Sequence, residues 1–199
     1  GLVIGLIVPV GPWLAAGVVV IFSGPASLWM GRLGEVWTAD GLRRARRSGW
    51  DFVNDVFLTS QIDHIAIGPA GVLVIDTKWS ADPWPLDDAS DWRRHNAVAG
   101  VKDQASHVRS LMRNRHSDAP VMPVVIQWGP PGSTEIGTWH LEDEVSLVTG
   151  SSFRSWLKSL PAGNFDPEAA REGWEAVVGH IGGRERYVEA KEGPAPRTI

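Results

Sequence analysis

The chain has 199 residues, enough for one domain with its own core plus an appendage. A formal net charge of -4 argues against gripping duplex nucleic acid by overall charge, so any phosphate contact needs a local basic patch. The absence of cysteine excludes disulfides and thiolate metal sites and fits a reducing compartment, and the 11 tryptophans read first as core and interface packing.

The first residue is Gly, so the chain reads as processed, trimmed or a fragment. The first charge is Arg32, and before it Leu2 to Met30 is mostly Leu, Val, Ile, Ala and Gly. Leu2 to Phe22 meets the span of about 20 apolar residues that a bilayer core requires of a helix. Pro9, Gly11 and Pro12 would kink it, which membranes tolerate better than water does. Residues 1–30 are therefore expected to be a single transmembrane helix with Trp29 at the interface. Arg32, Arg43, Arg44, Arg46 and Arg47 follow, and flanking positive charge places the soluble part in the cytoplasm. Two other readings are a signal-peptide core, which lacks a basic start and an Ala-x-Ala site, and a buried helix, which the missing polar face disfavours.

Beyond Gly31 the pattern becomes that of a folded domain. Gly31 to Ser48 reads as a helix with Leu33, Val36, Trp37 and Leu42 on one side. Trp50 to Leu58 reads as a strand with a bulge at Asn54–Asp55, and Gln61 to Ile67 as a second strand. Gly68-Pro69-Ala70-Gly71 is a strong turn signal, and Val72 to Lys78 is the third strand. Ser80 to His95 is polar, holds two prolines and reads as a loop. Asn96 to Arg115 is a helix, because Val98, Val101, Ala105, Val108 and Met112 recur at spacings of three and four. Val121 to Trp128 is a buried strand. After a Gly/Pro break at Gly129 to Gly132 come a short strand at Val145 to Val148 and helices at Ser152 to Leu160 and Pro167 to Gly179. The predicted organisation is a hydrophobic segment at 1–30, a core domain at 31–130, a strand and helices packed on it at 131–190, and a disordered tail at 191–199.

The hairpin carries the chemistry. With a turn at Gly68 to Gly71, Ile67 faces Val72, Ile65 faces Val74, Asp63 faces Asp76 and Gln61 faces Lys78. Strand side chains alternate, so all eight share one face, apolar near the turn and polar at the far end. Opposed carboxylates destabilise a sheet, and a cation between them removes the conflict. Carboxylate oxygens suit Mg²⁺, which uses one or two of them and keeps several waters. Lys78 could then hold a phosphate oxygen, stabilise developing charge or orient a water. The competing reading is a solvated hairpin end whose charges pair across the strands, and register alone supports both equally. Glu35 could add a third carboxylate, or be an ordinary helix charge, which spacing alone favours. Gln104 sits near the apolar side of its helix and needs a partner, either at the site or on a backbone group. His64 points to the opposite face and reads as a core or edge histidine. The other histidines lack metal spacing, and there is no P-loop or dinucleotide glycine pattern.

The stretch from Gln61 to Lys78, with Glu35 in the first helix and Gln104 in the second, resembles the nuclease-related domain (NERD) family of the PD-(D/E)XK superfamily. The resembling region runs from about Gly31 to Gly129. It implies an α/β, restriction-endonuclease-like αβββαβ core, with a mixed sheet flanked by helices. It also implies a Mg²⁺- or Mn²⁺-dependent phosphodiesterase acting on DNA or RNA. Asp63 and Asp76 would be metal ligands with the Thr77 carbonyl as a third, Lys78 would position phosphate and water, and Glu35 and Gln104 would support them. Asp76 stands where many relatives carry Glu, and both fit the pattern. The expectation is a membrane-anchored nuclease; the alternative is a non-catalytic nucleic-acid-binding or membrane-tethered interaction module that keeps the fold.

Overall fold

The computed structural model describes residues 25–82, 84, 91–130 and 139–192, and the side chains of 29–82, 84, 91–130 and 139–179. The apolar run from Leu2 to Phe22 and the tail beyond Glu192 lie outside the described residues. Among the described residues, no helix is long and apolar enough to cross a membrane.

The chain forms α1 (Pro25–Ala45), a 3-10 turn (Arg46–Ser48), β1 (Asp51–Phe57), β2 (Gln61–Gly68), β3 (Gly71–Trp79) and α2 (Trp92–Arg113). Then come β4 (Val121–Trp128), β5 (Trp139–Glu142), β6 (Val145–Thr149), α3 (Phe153–Ser159) and α4 (Pro167–Glu192). The six strands make one mixed sheet in the order β1-β2-β3-β4-β6-β5. β1, β2 and β3 are antiparallel neighbours, β3, β4 and β6 run parallel, and β5 closes the far edge antiparallel to β6.

Helices cover both faces of the sheet. On one face Val72, Val74 and Val125 pack with Val98, Val101, Ala105 and Val108 of α2 and with Trp174 and Val177 of α4. On the other, Leu73, Ile75, Val124 and Ile126 pack with Leu42 of α1 and Phe153, Trp156 and Leu157 of α3. β3 and β4 are buried on both faces, which explains their near-continuous apolar sequence. The C-terminal elements complete the sheet and both cores.

Several boundaries differ from expectation, each for a local reason. α1 starts at Pro25, six residues before the expected Gly31; proline suits the first turn of a helix, and the apolar run hid it. α2 starts at Trp92 because the Asp91 carboxylate caps the Arg93 and Arg94 amides at 2.9 and 3.2 Å. α4 runs on past Gly179 to Glu192. The expected bulge at Asn54–Asp55 is not an inserted residue, since the β1–β2 register is the same on both sides. Instead Asp55 adopts φ +52. Val56 and Ile62 then join the core cluster of Val53 and Ile65, although strict alternation would put them on the opposite face.

Candidate functional site

The turn fixes the hairpin. Gly71 has φ +122, and a Cβ there would lie 2.5 Å from the Pro120 carbonyl oxygen; a Cβ on Gly68 would lie 2.2 Å from the Trp50 ring. From this turn the ladder pairs Gly68 with Gly71, Ile67 with Val72, Ile65 with Val74 and His64 with Ile75. There the pairing ends. Asp63 and Asp76, and Gln61 and Lys78, were expected to face each other as ladder partners and do not. The Asp63 carboxylate instead accepts the Thr77 amide at 2.6 Å, taking the place of a strand carbonyl. The strands part where the polar residues begin.

Asp76 is 7% exposed and faces the α2 side with Val72 and Val74. Its carboxylate accepts Lys78 Nζ at 2.8 Å, while the Lys78 side chain remains 44% exposed. Burial raises the Asp76 carboxyl above its ordinary value, opposed by the Lys78 charge. Burial, then the Asp76 charge, pushes Asp63 up to about 7, against the pull of the Thr77 amide and Lys78. Thr77 turns its side chain to the other face, with its Oγ1 3.4 Å from Thr38 Oγ1 on α1. The same turn of α1 brings Gly34 against Thr77 and Trp128, where a Cβ would lie 3.2 and 3.1 Å from their side chains. This close approach puts Glu35 within electrostatic reach of Asp55, Lys78 and Asp76, and burial followed by Asp55 raises its carboxyl. Glu35, Asp63, Asp76 and Lys78 thus come together from three elements.

Gln104 reaches the site from α2. Its Nε2 donates to the Gln61 carbonyl at 2.8 Å, which orients the amide. Its buried Oε1 has no hydrogen-bond partner among the described residues. Two residues that sequence reasoning did not single out for the site belong beside it. Asp55, whose backbone is left-handed at φ +52, lies close enough to Glu35 for its charge to raise that carboxyl. Gln127 lies across from Lys78 in the β3–β4 register, is 1% exposed, and has neither amide atom partnered among the described residues. A glutamine closing an apolar strand was the available signal for it. His64 is buried on the other face, with Nδ1 2.8 Å from Asn54 Oδ1, and burial lowers its pKa to about 4. Of the arginines after the apolar run, Arg43 and Arg44 pair locally with Asp40 and Arg46 with Asp51.

Among the described residues no three His, Asp or Glu side chains converge on one point that could hold a metal ion. The Asp76 charge raises the cost of ionising Asp63, and Asp76 itself lines a cavity. Mg²⁺ takes one or two carboxylates and keeps its waters, and the unpartnered Gln104 Oε1 can accept a hydrogen bond from one of them. These oxygen donors are of the type that such an ion takes.

That cavity, of about 740 Å³, is lined by Asp76, Lys78 and Gln104, and also by Trp29, Trp79, Trp84 and Trp92. Residues 30–127 match the family model described as nuclease-related domain. No curated protein and no solved structure matches the chain.

Proposed function

Residues 30–127 are a nuclease-related domain, and from that premise we propose that the chain is a divalent-metal-dependent nuclease that hydrolyses phosphodiester bonds of DNA or RNA. The observation that carries this reading is the parted end of the hairpin. Two carboxylates harder to ionise than usual, Asp63 and Asp76, gather there with one lysine, and Asp76 and the lysine line an open cavity. A structural ion pair would need only one of the carboxylates.

A bound Mg²⁺ or Mn²⁺ would supply Lewis-acid polarisation of the phosphate and a more acidic water. Asp63 and Asp76 would hold it, with the Thr77 carbonyl as a further oxygen. Lys78 is anchored to Asp76 yet exposed, so its ammonium can meet a phosphate oxygen and offset charge that develops there. Gln104, fixed by the Gln61 carbonyl, presents Oε1 to orient water. Glu35 adds negative charge that favours cation binding.

The reading extends to the apolar run before α1 as a membrane anchor, with the domain facing the cytoplasm; residues 25–30, expected within the anchor, belong to α1 of the domain. Its support is the apolar run from Leu2 to Phe22 and the arginines that follow. Resistance of the full chain to alkaline extraction from membranes would support the anchor, and release into the supernatant would count against it.

The deciding test is cleavage of labelled single- and double-stranded DNA and RNA with Mg²⁺ or Mn²⁺ against EDTA, beside Asp76→Ala and Lys78→Ala. Metal-dependent cleavage lost in both variants supports the enzyme. A folded protein that cuts nothing points to the non-catalytic module.

A further inference from the structure

The cavity beside Asp76 and Lys78 has walls that phosphate chemistry does not require. Four tryptophans line it, coming from α1 (Trp29), the end of β3 (Trp79), the following segment (Trp84) and the first residue of α2 (Trp92). Trp84 is buried and structural, at 2% exposure, but Trp29 and Trp92 are 63% and 69% exposed. Single exposed hydrophobics are ordinary on a surface; two exposed indoles lining one cavity together with Lys78 and Asp76 form a directed arrangement.

The charge of the cavity separates the possible substrates. Its described cationic residues are Lys78, held by Asp76, and Arg93, held by Asp91 at 3.0 Å. A duplex is gripped through many phosphates by a basic surface, and its bases stay stacked within the helix. An unpaired strand exposes base faces, and stacking on aromatic side chains binds them with little regard to sequence. Accepting the nuclease reading, on which this inference rests, we propose that the cavity binds an unstacked nucleobase of a single-stranded nucleic acid. The base stacks on Trp92 and Trp29, which sets its neighbouring phosphodiester beside Lys78.

Fluorescence anisotropy of the full chain with EDTA present, so that nothing is cut, tests this. The probes are an oligothymidylate of about 12 nucleotides, an abasic strand of equal length and the matching duplex. All carry phosphates, so repulsion by the metal-free carboxylates is common to them. The oligothymidylate is expected to bind about tenfold more tightly than the abasic strand and the duplex. Trp92→Ala and Trp29→Ala should remove most of that advantage and Trp92→Phe should keep it, a contrast that mere loss of packing would not give. Equal binding of oligothymidylate and abasic strand, preference for duplex, or indifference to both Trp→Ala changes would overturn the proposal. The same samples with Mn²⁺ keep the two claims apart. Base-dependent binding without cleavage retires the nuclease reading and leaves the base site; cleavage that ignores base and tryptophan does the reverse.

Discussion

The two ends of the β2–β3 hairpin are built from the same two strands under opposite rules. Near the turn, Ile65, Val72 and Val74 are fully buried, every residue pairs in register, and two glycines enforce the geometry. At the other end the ladder stops after His64 and Ile75, a carboxylate replaces a backbone acceptor, and charges gather that the sheet does not need. The near end stabilises the fold. The far end carries an electrostatic cost that folding alone does not explain, and carboxylates raised by desolvation, one of them also by the charge of the other, are a mark of functional sites.

If that division is correct, damage at the two ends should separate cleanly. The largest effect belongs to the far end: Lys78→Ala should lower cleavage by about a thousandfold, comparable to loss of a key transition-state donor, with a melting temperature near wild type. Single-turnover kinetics and thermal unfolding of the same preparation check both halves.

The near end should behave in reverse. Gly71→Val puts a branched side chain at φ +122 against the Pro120 carbonyl, and should cost about 2–4 kcal/mol, with activity per folded molecule retained. Denaturant midpoints with an active-site titration read this out.

Next comes the metal-free stability profile. Asp63 holds its proton more tightly in the folded protein, its pKa pushed from the ordinary 3.8 up to about 7. Folding therefore takes up a proton between roughly pH 4 and pH 7, and stability falls as pH rises through that window. Asp63→Asn should remove this loss, making the metal-free protein more stable than wild type at pH 8 by about 1–2 kcal/mol, with no gain at pH 4. Urea unfolding in EDTA at the two pH values measures it.

The smallest effect concerns the adjacent residue on the opposite face. His64 is held neutral by burial, with its pKa lowered from 6.5 to about 4. The unfolded chain binds the extra proton between those values, so stability falls as pH drops from 6.5 toward 4. The two neighbours thus pull in opposite directions, and in Asp63→Asn the His64 slope should emerge as the steeper acid-side loss. His64→Asn in that background should flatten it.

Much of this contrast was legible in the sequence because the turn fixed the register. Gly68 and Gly71 set the count, and period-two alternation then put Ile65, Val74 and Asp76 on one face. The stop in the ladder was not legible, since it depends on the Asp63 side chain competing with a backbone carbonyl. Asp55 was hidden for a related reason: a left-handed aspartate redirects the strand without changing the register. β5 was missed because it is exposed and its turn uses Asp143 and Glu144, both at positive φ, where glycine would have announced a hairpin. Its Glu142 pairs with buried Arg94 at 3.0 Å, tying the far sheet edge to the start of α2, a tertiary contact no local pattern reveals. The tryptophans read as packing, and Trp84 is; the exposure of Trp29 and Trp92 required the fold.

The most direct test of the central claim is calorimetric titration of Mn²⁺ into the full chain near neutral pH, alongside Asp63→Asn and Asp76→Asn. The account predicts saturable heat with proton release, because the cation must displace the proton that Asp63 partly retains, and loss of that heat in both variants. Absence of heat in the wild type, or heat unchanged by either substitution, would contradict it.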